Sequence, residues 1–325
     1  MSFTAVPASA ECGCWRFVRP EGRPPGAVLT EITAPTETAA WAVGVRAEAP
    51  YVLAWNGSRF REIQVPVPAG TALEGISAAS ASDVWVVGTA KGGTGHTAHW
   101  TGRAWRGGTL RGAVLRAVEA RTPSEVWAAG GRGGTGAIWR WNGHKWAPVP
   151  LRDRVEELTS LSARAAGDAW AVGGRASVLH WDGRAWTRVR GPQLPAGATL
   201  TDIAAPRPGE AWTVGTTPSG GALVLRWGGK SWTSLPAPGA RLHSITGDGR
   251  AGVWVGGEDA VGRPLLAHWA GARWAVSRPP VPGGGRGTVW ALAHVPGSST
   301  LRAAGSHSPL STPQPITWTN TPRPR

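Results

Sequence analysis

Five side chains able to move a proton or hold a metal ion occupy one recurring kind of place in this sequence. Glu31, Glu119, Asp202, His243 and His294 all lie in short apolar patterns of the type Leu-x-x-Ile-x-Ala. Carboxylates and imidazoles brought to a common rim serve as general acid and base or as metal ligands. Their spacing matches no catalytic or metal-ligand signature, so each must come from a different structural unit. An acid–base lyase or hydrolase using them is one reading; a wet polar lining satisfied by hydrogen bonds is the other. No metal and no cofactor is assigned. Gly-x-Ser-x-Gly, His-Glu-x-x-His and the phosphate-binding Gly-x4-Gly-Lys-Ser/Thr are all missing. Gly131-Arg-Gly-Gly-Thr-Gly136 fits Gly-x-Gly-x-x-Gly. It has no helix after it to receive a pyrophosphate, so it is not a dinucleotide site.

The elements that would position these residues form a repeat. Short runs ending in glycine recur: Trp41-Ala-Val-Gly44, Val84-Trp-Val-Val-Gly88, Val126-Trp-Ala-Ala-Gly130, Ala169-Trp-Ala-Val-Gly173, Ala211-Trp-Thr-Val-Gly215 and Val253-Trp-Val-Gly-Gly257. The closing glycines are 44, 42, 43, 42 and 42 residues apart. Acids precede four of the runs, at Asp83, Glu125, Asp168 and Glu210. A second motif, Trp-x-Gly-x-x-Trp, follows, with Phe60 as the last residue of the first copy, as in Trp141-Asn-Gly-His-Lys-Trp146 and Trp181-Asp-Gly-Arg-Ala-Trp186. Asn-Gly and Asp-Gly between apolar runs mark tight hairpins. With the leading Leu-x-x-Ile run, each repeat offers four short strands, A to D.

Four-stranded units at a period near 43 residues spell a β-propeller. Six copies are complete. A seventh, Trp290–Gly305, is read as sixteen residues like Leu73–Gly88, with Arg302 where the others carry Trp and Ile316-Thr-Trp318 as strand C. Its strand D is supplied from the other end by Trp15-Arg-Phe-Val18. The expectation is an all-β, seven-bladed propeller closed by the N-terminal strand, spanning 15–320 between a leader or disordered stretch, 1–14, and a disordered tail, 321–325. Of the 21 tryptophans, only Trp139 and Trp290 fall outside the repeat slots. The others are expected to wedge between blades, each burying roughly 200 Å².

The repeats resemble the tryptophan-rich secreted propeller repeats of actinobacteria, written roughly Asp-Val-Trp-Ala-Val-Gly … His-Trp-Asp-Gly-x-x-Trp, over residues 15–318. Kelch, tectonin and Asp-box propellers share the architecture. The resemblance implies the fold and export and carries no chemistry of its own.

The segments that vary between repeats are the B–C and D–A connections, which a propeller gathers on one face. Such variation on a rigid scaffold is where binding specificity sits. The net charge is +14, from 34 Lys and Arg against 20 Asp and Glu, and only three of the basic residues are lysines. Arg132, Arg175, Arg190, Arg263 and Arg278 in these connections are the ligand-binding candidates, pointing to an anionic polymer, a glycan or a protein. Basic residues in the hairpin turns, such as Arg103, Arg184 and Arg273, give the other face charge as well. Nucleic acid is disfavoured, because the tryptophans that would stack bases are assigned to the core. The reading is a monomeric, non-catalytic binding scaffold.

Cys12-Gly-Cys14 is too small a set for a structural zinc site and reads as a local disulfide or two free thiols. No apolar run is long enough to span a membrane. Val6-Pro-Ala-Ser-Ala10 resembles the small-residue end of a signal peptide, so the expected location is secreted or cell-envelope, or cytoplasmic if Met1 is the true start. N-terminal sequencing of the native protein separates the two.

Overall fold

The computed structural model describes residues 15–21, 24–190, 194–308 and 312–320. Cys12, Cys14, the leader segment and the tail from 321 lie outside the described residues. The chain forms seven four-stranded antiparallel sheets, six of them simple meanders. Blade 3 shows the pattern, with strands A to D at Val114–Thr122, Glu125–Arg132, Thr135–Trp141 and Trp146–Val149. Blade 7 takes A, B and C from Arg286–His294, Leu301–Ser308 and Gln314–Thr319, and D from Arg16–Val18. Phe17 pairs with Trp318 in this last strand, so the N-terminal strand closes the ring. The only helical element among the described residues is a 3-10 turn, Gly174–Ala176, and no helix is long and apolar enough to cross a membrane.

Every strand A carries a β-bulge at the same place. The register slips after Leu29, Leu73, Leu115, Leu158, Leu200, Leu242 and Val289, which face the closing glycines of strand B. The bulge explains those glycines. A Cβ on Gly44, Gly88, Gly130, Gly173, Gly215, Gly257 or Gly305 would lie 1.9–2.2 Å from a strand A carbonyl oxygen. No side chain fits where strand A crowds that close to strand B.

The pairing corrects the sequence alignment of blade 7. Val289, not Trp290, pairs with Gly305 and fills the leucine slot, fully buried. Trp290 is the bulge residue. The extra residue is taken up in the turn after His294. Trp318 faces Ala303 as Trp139 faces Ala128, so these two tryptophans share one slot.

The core is divided among the seven seams between blades. The strand B tryptophan of one blade meets the hairpin tryptophans of the next: Trp85 lies 4.9 Å from Trp141, and Trp127 lies 5.2 Å from Trp181 and 5.6 Å from Trp186. Trp170, Trp212 and Trp254 repeat the contact with Trp227, Trp269 and Trp15. In blade 7 the buried Arg302 takes the tryptophan's place, its guanidinium 4.6 Å from the ring centre of Trp55 in blade 1. It also donates to the Glu37 carbonyl at 2.8 Å. Burial pulls its pKa down to about 10, within a range that keeps the group charged at neutral pH.

Candidate functional site

The inner strands enclose a mostly polar channel of about 300 Å³, lined from the bulges to the A–B turns. Glu31, Glu119, Asp202 and His294 line it; His243 does not. His243 is the bulge residue of blade 6, its ring 4.2 Å from Trp290 of blade 7, and burial lowers its pKa. An extra residue at the bulge turns its side chain to the neighbouring blade, which the alternation of a regular strand would not have done. His294 is engaged at the turn, with Nε2 2.9 Å from the Ser298 carbonyl oxygen.

The three carboxylates do converge electrically. Burial, and then the Asp202 charge, raises the pKa of both Glu31 and Glu119, with Glu119 pushed up to about 7. Asp202 is also raised by burial, against the pull of its hydrogen bonds. Those bonds define its role. It accepts from Ser160 of blade 4 at 2.6 Å, from the Ile203 amide at 2.9 Å and from the Ile245 amide of blade 6 at 2.7 Å. One side chain therefore ties three blades together. Ser77, Ser162 and Ser244 each accept a backbone N–H from the following blade in the same way. Among the described residues, no group of three or more His, Cys, Asp or Glu is placed to hold a metal ion.

Glu119 gives the channel a measurable pH signature. Its folded pKa of about 7 exceeds the ordinary 4.5, so the folded state holds the proton more tightly. This contribution to stability is complete below pH 4.5 and is lost as the pH rises to 7. Glu119→Gln should remove it, gaining on the parent protein by up to roughly 3 kcal/mol between pH 5 and pH 8. Urea unfolding at both pH values measures this, and parallel curves would show that Glu119 titrates normally.

The acids before strand B are structural. His99 Nε2 lies 3.0 Å from Asp83 and its ring stacks on Trp85 at 3.9 Å. His180 makes the same pair with Asp168 at 3.0 Å beside Trp170, and His268 with Asp248 at 2.8 Å beside Trp254. In blades 3 and 5 the partners are Arg140 with Glu125 and Arg226 with Glu210, each arginine lying over a tryptophan face. These trios fix the indoles that fill the seams.

The arginine candidates on the loop face separate into two groups. Arg263 and Arg278 both hold Asp259, at 2.9 and 3.2 Å, and with the backbone N–H groups of its turn they keep that carboxyl at about 2. They stabilise a loop of blade 6 and their charge is half cancelled. Arg132 and Arg175 lie elsewhere, on blades 3 and 4, and Arg190 is exposed at the start of the crossover from blade 4 to blade 5. Here three clefts of about 360, 380 and 600 Å³ run together. The first two share Arg154, and the last two share Arg175 and Arg188. The result is one trough walled by Arg132, Arg152, Arg154, Arg175 and Arg188. Among the described residues, only Arg175 of the five has a carboxylate in ion-pair range, Glu156 at a long 3.5 Å. Arg152, Arg154 and Arg188 belong to the same basic loop face in the sequence but were not among the five ligand-binding candidates; the signal was the arginine density on both sides of one D–A crossover.

Local backbone geometry positions this trough. Arg175 and Ala176 both take left-handed conformations, at φ 48° and 54°, in the short B–C turn of blade 4. Each costs about 1 kcal/mol. The crossover entering blade 4 lies along the outer strand Trp186–Arg188, with Leu151 bridged in parallel to Trp186. Asp153 in that crossover accepts the Arg188 amide at 3.2 Å.

The fold and the two sites define a seven-bladed β-propeller with a tied polar channel and a basic trough on its loop face. Solved structures of the same shape include YCF48 bound to a D1 peptide, at TM-score 0.67 and 16% identity, covering 95% of this chain and 96% of that one. The WD40 repeats of RRP9 match at TM-score 0.67 and 13% identity, over 94% and 97%. A streptogramin B lyase matches at TM-score 0.66 and 12% identity, over 93% and 96%. The sequence matches no protein-family model and no curated protein.

Proposed function

We propose that this propeller is a non-catalytic binding scaffold that takes an anionic partner on the loop face of blades 3 and 4. The observation that carries this reading is the continuous trough whose arginines, Arg175 apart, have no carboxylate in ion-pair range among the described residues. Guanidinium groups held on a rigid frame without internal partners are poised for bidentate contacts to an incoming anion. Asp259, Glu125 and Glu210 show the contrasting case, arginines neutralised by a carboxylate of the protein itself. The expected partner classes remain an anionic polymer, a glycan or a protein. That a YCF48 of the same fold is seen with a D1 peptide bound supports the last of these. Export, and kinship with the tryptophan-rich secreted propellers, belong to the same reading and rest on the repeat motif and on Val6–Ala10. The channel supports catalysis less well, because Asp202 is committed to three blades.

Hydrogen exchange with saturating polyglutamate or heparin tests the site. Slowed exchange is expected at 132–136, 151–156 and 174–177, with none at the hairpin turns around 57, 102 and 271. Equal protection on both faces, or none, would reject it.

A further inference from the structure

We infer that the trough accepts an extended acidic segment of a partner protein, with apolar side chains interspersed among its carboxylates. The inference rests on the loop-face reading above and narrows its ligand. Three observations favour a peptide over a nucleic acid or a sulfated sugar.

The trough has a mixed lining. Its walls carry five arginines with Asp153 and Glu156 among them, while half-buried Val149, Leu151 and Leu194 and the exposed Pro195 give it an apolar floor. A uniform polyanion has nothing to place on such a floor; a peptide with alternating side chains does.

Among the described residues no aromatic stacking platform is exposed. Among the described residues the only large apolar side chains classed as exposed are Val261 and Val276, both on blade 6. Single-stranded nucleic acids depend on exposed aromatic faces, and the tryptophans here are withdrawn into the seams.

The protein itself shows the contact. In the crossover Leu151-Arg-Asp153, extended chain lies beside Trp186–Arg188, with Leu151 bridged to Trp186 and Asp153 receiving the Arg188 amide. Glu156 then reaches Arg175. An apolar residue followed two positions later by an acid is thus already accommodated against this wall. The basic residues of the walls are all arginine, without lysine, which suits planar carboxylates.

The test uses the full chain and three labelled probes, read by fluorescence anisotropy. They are a peptide of about twelve residues alternating Glu with Leu and Ser, a heparin fragment, and a single-stranded oligonucleotide of similar charge. A second peptide with every Leu replaced by Ser reports on the floor. The variant Arg154→Glu/Arg188→Glu reverses the charge of two residues at the junctions between the clefts. Arg103→Glu/Arg273→Glu, on the opposite hairpin turns, changes the net charge equally. The expected result is peptide binding weakened at least tenfold by the trough variant, at most twofold by the control, and several-fold by loss of Leu. Loss of heparin or oligonucleotide binding in the trough variant, with the peptide silent, would overturn the peptide assignment and leave the loop-face reading standing. If no probe responds to the trough variant, both fall.

Discussion

Gly130→Ala is expected to destabilise the propeller by at least about 3 kcal/mol, the upper range for forcing extra atoms into a packed site. The Cβ, whose position the backbone fixes, would stand 2.0 Å from the Val114 carbonyl oxygen, itself a backbone atom. No rotamer change relieves such a clash; strands A and B of blade 3 must part at the bulge. The control is Gly228→Ala, whose added carbon meets nothing within 4 Å and whose φ is not positive. It should change stability by under about 0.5 kcal/mol. Thermal unfolding followed by circular dichroism compares the two. Similar midpoints for both variants would mean that the closing glycines are not set by the bulge.

Trp127→Ala should cost a comparable 3–5 kcal/mol for a different reason. The indole is fully buried between Trp181 and Trp186 of the next blade, with the Arg140 guanidinium 5.0 Å from its ring centre. Removing it leaves a void in the seam and takes the aromatic face from a cation that also pairs with Glu125. Trp274→Ala makes the comparison. Its ring is half-buried, 6.5 Å from Trp212, and its indole N–H is bonded to the Pro236 carbonyl oxygen. Its loss should be clearly smaller in urea unfolding. Equal losses would argue that tryptophan position within the blade does not matter.

Much of this architecture could be read from residue order. The closing glycines and the paired tryptophans marked seven units, and Trp15 to Val18 announced the split blade. The bulge was also written there. Leu115 and Val118 are three apart, yet both are buried, whereas a regular strand sends residues of odd separation to opposite sides. That odd spacing, repeated in blade after blade, is the mark of an inserted residue. It would have placed His243 and Trp290 against each other rather than on the channel. The site was less legible because it depends on partners brought together by the ring. Nothing in the order of residues showed that Asp259 holds both Arg263 and Arg278, or that Arg154 and Arg188 would meet across a crossover. Nor did it show that Asp202 spans three blades, since its donors lie 42 and 43 residues away.

The borrowed strand of blade 7 also sets an order of events. Residues 16–18 leave the ribosome first but pair with residues 317–319, among the last of the ring to emerge. Until strand C of blade 7 is made that strand has no sheet to join, so the ring can close only after the chain of the other six blades, the open arc, is complete. Bringing ends about 300 residues apart together carries the largest loop-closure entropy in the molecule, though it grows only logarithmically with length. The contacts that reward it join strand D to blade 7 and close the last seam: Trp15 on Trp254, the Thr317 hydroxyl on the Val18 carbonyl, Arg302 on Trp55, and the buried cluster of Leu29 and Ile32 with Ala291 and Val295. Closure is therefore a clasp fastened once, after the arc is built. Under tension between the two ends, that clasp bears the load.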